Sequence, residues 1–110
     1  MGILSIFELK GEKAIVTGGG QGLGREMALA LAEAGADVAV VQRHVEVAEK
    51  TAKHIRKLGR ESIALKVDVS KPQDVENMAR TVKQKFGKTD ILVNNAGVTG
   101  WIPAEEMSPL

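Results

Sequence analysis

The order of the apolar segments is the feature of this sequence that most constrains its fold. Four short apolar runs alternate with three longer segments in which apolar residues recur at helical spacing. The runs are predicted to be buried strands at Lys13–Thr17, Asp37–Val41, Ser62–Val69 and Asp90–Asn94. The predicted helices are Gly22–Ala34, Val45–Leu58 and Pro72–Phe86. Strands that alternate with helices predict an α/β fold: a four-stranded parallel sheet of order 3-2-1-4 with three crossover helices, half of a doubly wound sheet.

Local patterns predict which residues face the core, where one helix begins and which strand is unpaired. In the first helix, the residues expected on the buried face are Leu23, Met27, Ala30, Leu31 and Ala34. The run Ser70-Lys71-Pro72-Gln73 resembles a capping box, which predicts Ser70 as the N-cap of the third helix. The last strand, with Ile91-Leu92-Val93, would be an apolar edge without a neighbour on one side. Such an edge predicts self-association of the chain.

Composition and charge exclude several functional classes. The 110 residues are 44% hydrophobic and 26% charged, which is typical of one globular domain, and residues 1–110 are treated as a single unit. The net charge of +1 gives no reason to expect a nucleic-acid or an acidic membrane partner. Because cysteine is absent, disulfides and cysteine-ligated zinc are excluded. No apolar stretch is long enough for a signal peptide or a membrane span, so we expect a cytoplasmic protein.

A glycine-rich turn, Thr17 to Gly24, follows the first predicted strand and opens the first predicted helix. Glycines let a backbone approach a pyrophosphate closely, and the free N–H groups and dipole of the helix favour its charge. The spacing G-x-G-x-x-G does not occur here in any register. The Walker spacing does occur, but Arg25-Glu26 replace the required Lys and Ser/Thr. The turn therefore indicates a phosphate-binding site, and its Arg25-Glu26 pair argues against a triphosphatase.

Three motifs together resemble those of the short-chain dehydrogenase/reductase family. The turn matches T-G-x-x-x-G-x-G, Asp68-Val69 ends the third strand, and Asn94-Asn95-Ala96-Gly97 follows the fourth. Their order and spacing match the family over essentially the whole chain. The resemblance implies a Rossmann-type domain and hydride transfer between a nicotinamide cofactor and an alcohol or carbonyl. The opening segment Phe7 to Gly11 is similar to the branch of gluconate, sorbose and mannitol dehydrogenases, which implies a sugar or polyol substrate.

The same resemblance implies which residues contact the cofactor. The residues of the turn that would hold the pyrophosphate and the nearby ribose are Gly18, Gly20, Gln21, Gly22, Leu23 and Gly24. Asp68 would accept a hydrogen bond from the adenine amino group, and Val69 would offer its backbone N–H. The residues that would line the adenosine ribose are Asn95, Ala96 and Gly97. Thr17 and Asn94 would make structural hydrogen bonds instead.

The end of the second strand predicts which nicotinamide cofactor is preferred. An NAD site usually carries an acidic residue there, which accepts a hydrogen bond from the ribose 2′-OH. Here Gln42 takes that position and Arg43, a planar donor suited to a phosphate, follows it. We therefore expect NADP, with NAD as the alternative. Gln21 is a departure, because many NADP-preferring relatives carry a basic residue at its position.

The residues that carry catalysis in the family, a serine and Tyr-x-x-x-Lys, cannot be placed in this chain. It contains no tyrosine, and no catalytic or metal-binding residue is assigned. We expect this chain alone to bind a nucleotide without catalysis, and a small alcohol or carbonyl substrate to bind only in a longer protein. Two alternatives remain: a stand-alone nucleotide-binding, redox-sensing module or split subunit, and a 3-oxoacyl carrier-protein reductase.

Overall fold

The computed structural model describes residues 9–18 and 20–95, which form one parallel sheet covered by helices on both faces. In chain order the elements are β1 (Lys13–Thr17), α1 (Gly22–Glu33), β2 (Asp37–Gln42), α2 (Val45–Lys57), β3 (Ser62–Lys66), α3 (Pro72–Phe86) and β4 (Ile91–Asn94). The strands are hydrogen-bonded in the order β3-β2-β1-β4, and every pair is parallel. The predicted α/β fold and strand order are confirmed.

β3 is shorter than the sequence predicts, because the chain leaves the sheet after Lys66. The N–H of Val67 still donates to the carbonyl of Gln42 at 2.9 Å, as a last contact with β2. The next N–H, that of Asp68, donates instead to the Asp74 side chain at the start of α3, at 3.0 Å. The apolar residues Val67 and Val69 therefore belong to the connection to α3 and not to the strand.

α1 and α2 together cover one face of the sheet. The residues of α1 that are buried there are Gly24, Ala28 and Ala32, one turn apart. The expected buried face of α1 was wrong in part: Ala34 is buried, but the Leu23 side chain is 65% exposed and Leu31 packs only at the margin of this core. Small side chains allow α1 to lie close to the β-branched residues of the sheet, so size complementarity and not hydrophobicity alone selects the buried face.

α3 covers the opposite face by itself. Its buried residues are Val75, Met78, Val82 and Phe86, as the helical spacing predicts. They pack on Ile15, Ala39 and Val41 of the central strands. Within residues 9–18 and 20–95, β4 pairs with β1 alone, and its Leu92 is half-buried at the margin of this second core. The edge position of β4 thus agrees with the expected topology, while self-association stays a prediction.

α3 begins without the predicted capping box. Its N-cap is Lys71, which makes no side-chain cap hydrogen bond, and Pro72 occupies the first helical position. The prediction of Ser70 as N-cap was wrong, because the Ser70 hydroxyl donates to Asp68 Oδ1 at 2.6 Å instead. Among the residues that the structure describes, no helix combines the length and hydropathy needed to cross a membrane.

Polar side chains join the strands at their amino-terminal ends. Lys13 Nζ lies 2.5 Å from Asp37 Oδ2, and Asp37 Oδ1 accepts the N–H of Glu61 at 2.8 Å. Burial alone would raise the pKa of the Asp37 carboxyl. The hydrogen bonds from Lys13 and Glu61 and the nearby positive charges outweigh burial and hold that pKa below its usual 3.8. The ion pair thus ties β1, β2 and the start of β3 together at the end opposite the glycine-rich turn.

Candidate functional site

The candidate site lies at the carboxyl-terminal end of the sheet. β1 leads into the glycine-rich turn, and β4, its neighbour, leads into Asn95. α1, which connects β1 to β2, and α3, which connects β3 to β4, lie on opposite faces of the sheet. In a doubly wound sheet, the strand order reverses at one point, and a crevice opens there because the helices on either side lie on opposite faces. Ligands bind in that crevice, outside the carboxyl ends of the strands. In this molecule that position lies between β1 and β4.

A hydrogen-bond cluster joins the ends of β1 and β4. The buried Thr17 hydroxyl lies 3.0 Å from Asn94 Oδ1 and accepts the Asn95 N–H at 3.0 Å. The Gly18 N–H donates to the carbonyl of Val41 at 2.7 Å, which ties the start of the turn to β2. Thr17 and Asn94 therefore hold the ends of β1 and β4 together, in line with the structural roles expected from the sequence.

Glycine is required in the turn for two different reasons. The φ angles of Gly18 and Gly22 are +69° and +59°, in the left-handed region that other residues rarely adopt. Gly24 is required by close approach, because a Cβ atom there would lie 2.0 Å from the Gly18 carbonyl oxygen and 2.7 Å from Asn95 Nδ2. The start of α1 is thus pressed directly against the turn and the residue that follows β4.

Among the described residues, no side chain caps the amino terminus of α1. Its N-cap, Gln21, has extended backbone and makes no side-chain cap hydrogen bond, and the first turn carries no acidic side chain. α2 and α3 also lack a side-chain cap, but they carry an acidic residue in the first turn, Glu46 and Asp74 respectively. Uncapped N–H groups and the positive end of the helix dipole favour a negatively charged ligand. The exposed Leu23 side chain adds an apolar surface beside them.

A cleft of about 430 Å³ lies between the ends of β2 and β3, and Arg43 and Asp68 are among its lining residues. Asp68 Oδ1 accepts hydrogen bonds from the Ser70 hydroxyl at 2.6 Å and from the Ser70 N–H at 3.0 Å. The pKa of Asp68 is held below its usual range, most strongly by the hydrogen bond from the Ser70 hydroxyl and next by that from the Ser70 N–H. The positive charges of Arg43 and Lys71 act in the same direction. Asp68 is therefore an ionised acceptor, and a carboxylate has a second oxygen available for an amino group.

A second cleft, of about 550 Å³, lies on the α2 side of the turn. Besides Gly20, Gln21 and Gly22, its lining residues are all basic: Arg25, Lys50, Lys53, His54 and Lys57. The sequence interpretation assigned none of the basic residues to the site. The spacing of Lys50, Lys53 and Lys57 on one helical face was the available signal, and any solvated helix face can show the same pattern.

The structure brings most of the sequence-predicted site residues to one end of the sheet, in two neighbouring groups. The group around the turn comprises Gly18, Gly20, Gln21, Gly22, Leu23, Gly24 and Asn95. The group at the ends of β2 and β3 comprises Arg43 and Asp68, whereas Val69, the next residue, packs against the core beneath α3. Ala96 and Gly97 lie outside the described residues. Thr51, which contacts the turn from α2, was missed by the sequence interpretation.

Comparison with known proteins agrees with this geometry. Residues 12–109 match the family described as short chain dehydrogenase. The chain is 43% identical over 95 residues to the short-chain dehydrogenase/reductase homolog YusS of Bacillus subtilis, covering 86% of this chain and 87% of that one. A short-chain type dehydrogenase/reductase from Mycobacterium marinum has a TM-score of 0.82 at 37% identity, covering 96% of this chain and 45% of that one. A 7α-hydroxysteroid dehydrogenase complexed with NADH and 7-oxo glycochenodeoxycholic acid also has a TM-score of 0.82, at 35% identity. That match covers 96% of this chain and 43% of the hydroxysteroid dehydrogenase.

The share of each relative that is matched differs widely. The chain spans most of the Bacillus subtilis relative but less than half of the two solved structures. The family match nevertheless extends over nearly all of this chain, and the strand order and glycine-rich turn agree with it. The chain belongs to the short-chain dehydrogenase/reductase family of oxidoreductases.

Proposed function

We propose that this chain is the cofactor-binding part of an NADP-dependent oxidoreductase and binds the dinucleotide across the carboxyl end of its sheet. The observation that carries the proposal is the uncapped amino terminus of α1, pressed against the turn at Gly18 and Gly24. Such a terminus is a site for a pyrophosphate. The 7α-hydroxysteroid dehydrogenase that shares this fold was solved with NADH, which supports a nicotinamide dinucleotide as the ligand.

The proposed contacts follow from the two groups of residues. Gly18 and Gly20 to Gly24 would receive the pyrophosphate and nearby ribose, and Asn95, with Ala96 and Gly97, would line the adenosine ribose. In the neighbouring cleft, the second carboxylate oxygen of Asp68 would accept a hydrogen bond from the adenine amino group. The N–H of Val69, the next residue, would donate to the ring. An ionised Asp68 is the protonation state that this contact needs.

The preference for NADP rests on the end of β2. Gln42 offers no carboxylate to repel a 2′-phosphate, and the exposed Arg43 forms no ion pair within 4.0 Å in residues 9–18 and 20–95. An available guanidinium beside the adenosine cleft suits a phosphate, since Arg binds phosphate through paired hydrogen bonds.

Calorimetric titration with NADPH and NADH tests both levels of the proposal. We expect NADPH to bind more tightly than NADH. Replacing Arg43→Ala should weaken NADPH about tenfold, or ~1.4 kcal/mol, and leave NADH nearly unchanged, because only the 2′-phosphate contact is lost. Arg80→Ala is the matched control, because Arg80 lies on the exposed face of α3 and pairs with Glu76. Equal affinities for the two cofactors would refute the NADP preference, and no binding of either would refute the proposed function.

For the substrate, we propose a sugar or polyol that a protein containing this chain and the family's catalytic residues would oxidise. The support is the segment Phe7 to Gly11 and the glycine-rich run, which are similar to that branch of the family. A turnover assay with gluconate, sorbitol and mannitol against a hydroxysteroid tests it. Turnover of the steroid alone would contradict the proposal.

A stand-alone nucleotide-binding module is the second candidate function. It is favoured by the Bacillus subtilis relative, which this chain covers over 87% of its length and which is therefore a chain of similar size. The two candidates differ in one assay. Binding of NADPH by this chain with no turnover of any alcohol, alone or mixed with a partner that carries Tyr-x-x-x-Lys, favours the module.

We also propose that the isolated chain self-associates through the edge strand β4. In the part of the chain that the structure describes, that strand pairs with β1 alone, and an unpaired edge offers a row of free backbone groups to a second copy. Light scattering coupled to size-exclusion chromatography should give a mass above that of one chain at high concentration. A single monomeric species there would contradict the prediction.

A further inference from the structure

The glycine-rich turn is fastened to α2 by a buried threonine. The Thr51 side chain is fully buried, and its hydroxyl donates to the carbonyl of Gly20 at 3.3 Å. The same oxygen accepts a hydrogen bond from Arg25 Nη1 at 3.0 Å, and Arg25 Nη2 lies 2.9 Å from His54 Nδ1. Because Arg25 can only donate, the Thr51 hydrogen is directed to Gly20. The Thr51 hydroxyl is therefore used as donor and as acceptor, both within this contact.

The contact between Gly20 and α2 is close as well as hydrogen-bonded. A Cβ atom at Gly20 would lie 2.5 Å from Val47 Cγ1 and 2.8 Å from Gln42 Cγ. The backbone of the turn at Gly20 therefore rests on side chains of β2 and α2, and Thr51 fixes the direction of the Gly20 carbonyl. The turn is held on its other side by the close approach of Gly24 to Gly18.

The direction of one carbonyl determines the direction of the next N–H. In a trans peptide the C=O and the N–H point in opposite directions, and the described residues contain no cis peptide bond. Since the Gly20 carbonyl points toward Thr51 on α2, the N–H of Gln21 points away from α2. Gln21 is the N-cap of α1, so its N–H belongs to the uncapped donors at the start of that helix.

We propose that Thr51 is a positioning residue for the anion site: it fixes the peptide between Gly20 and Gln21 so that the Gln21 N–H is oriented toward a bound phosphate. Arg25 supports this role by orienting the Thr51 hydroxyl. The inference rests on the proposed function, because it needs a phosphate-bearing ligand at the amino terminus of α1. Thr51 itself touches no ligand in this arrangement.

Calorimetric titration of the chain with NADPH and a parallel NMR titration with adenosine test the proposal. Thr51→Val keeps the side-chain shape but removes the hydroxyl, and we expect its Kd for NADPH to rise about fivefold to tenfold. Thr51→Ser restores the hydroxyl and should return the Kd to within about twofold of the starting value. Adenosine carries no phosphate, so its affinity should be the same in all three proteins. Thr81→Val on α3 is the matched control, and it should bind NADPH as the unmodified chain does.

A charge-matched variant keeps the test decisive if Thr51→Val does not fold. Arg25→Lys retains the positive charge but cannot donate to Thr51 and contact His54 together, so we expect about a threefold rise in Kd for NADPH. The proposal is overturned if Thr51→Val or Arg25→Lys binds NADPH like the unmodified chain. It is also overturned if serine fails to restore binding, or if adenosine weakens as much as NADPH. If the unmodified chain binds no NADPH, the proposed function fails too, which separates that result from the others.

Discussion

Replacing Gly24→Ala tests whether the turn and α1 are really in contact at their backbones. A Cβ atom at position 24 would lie 2.0 Å from the Gly18 carbonyl oxygen and 2.8 Å from the Gly18 carbonyl carbon. Since Cβ contacts under 3.0 Å do not occur, the helix and the turn must separate by about 1 Å. Both of these Gly18 atoms belong to the backbone, so no side-chain rotation can relieve their clash with the added Cβ.

The expected loss follows from two opposing terms. Alanine is favoured over glycine inside a helix by about 1 kcal/mol, which by itself would stabilise the variant. Overpacking against a rigid neighbour typically costs about 1–3 kcal/mol, and the contact with Gly18 places this case at the upper end or beyond. We therefore expect the free energy of unfolding to fall by about 2 kcal/mol. The Kd for NADPH should rise as well, because Gly18 is displaced.

Urea unfolding followed by circular dichroism measures the first quantity. Gly59→Ala is the control, because Gly59 follows α2 with φ +90° and no atom lies within 4 Å of an added Cβ. That variant should lose only about 1 kcal/mol, from backbone strain alone, and should bind NADPH normally. A Gly24→Ala protein as stable as the unmodified chain would refute the close approach, and a more stable one would show that helix propensity dominates.

Two further changes probe the core and the opposite end of the sheet. Ile55→Ala removes a fully buried side chain of α2 and should lower the free energy of unfolding by about 3 kcal/mol. Leu58→Ala is the control, and because the Leu58 side chain is 38% exposed it should cost only about 1 kcal/mol. Equal losses in urea unfolding would contradict the packing described for α2. Asp37→Asn should cost about 1–2 kcal/mol at neutral pH, because Lys13 loses its ionised partner. Since the pKa of Asp37 is lowered in the folded protein, its contribution is complete above the usual 3.8 and is lost as the pH falls through the lowered value. The two unfolding curves should therefore converge in acid, and a difference that persists there would refute the assignment.

The sequence was sufficient for the order of the elements but not for the details of packing. Apolar runs and helical spacing predicted the sheet, because each buried strand needs a continuous apolar stretch between two covering helices. Ala28 and Ala32 were missed on the buried face of α1 because hydrophobicity favours large residues such as Leu31, whereas close helix–sheet contact requires small ones. The end of β3 was missed because Val67 is apolar in the connection as it would be in a strand.

Within the candidate site, the glycine-rich turn could be predicted because its conformation requires glycine. The resemblance to a known family added Asp68, whose neighbours at the end of β2 the chain order does not reveal. Thr51 could not be predicted, because a threonine in a buried helical position fits the core pattern and its partner Gly20 lies 31 residues away. Long-range polar contacts of this kind depend on the crossing of elements, which a single sequence does not specify.

The small residues on the buried face of α1 limit the substitutions that this protein can accept in evolution. Ala28 and Ala32 set the spacing between α1 and the sheet, and α1 starts at the glycine-rich turn. A larger residue at either position would lift the whole helix and carry its amino terminus away from β4. Selection for ligand affinity should therefore act on alanines that never meet the ligand. The interior of this face is expected to vary less than the α3 face, where Met78 can adjust to changes around it.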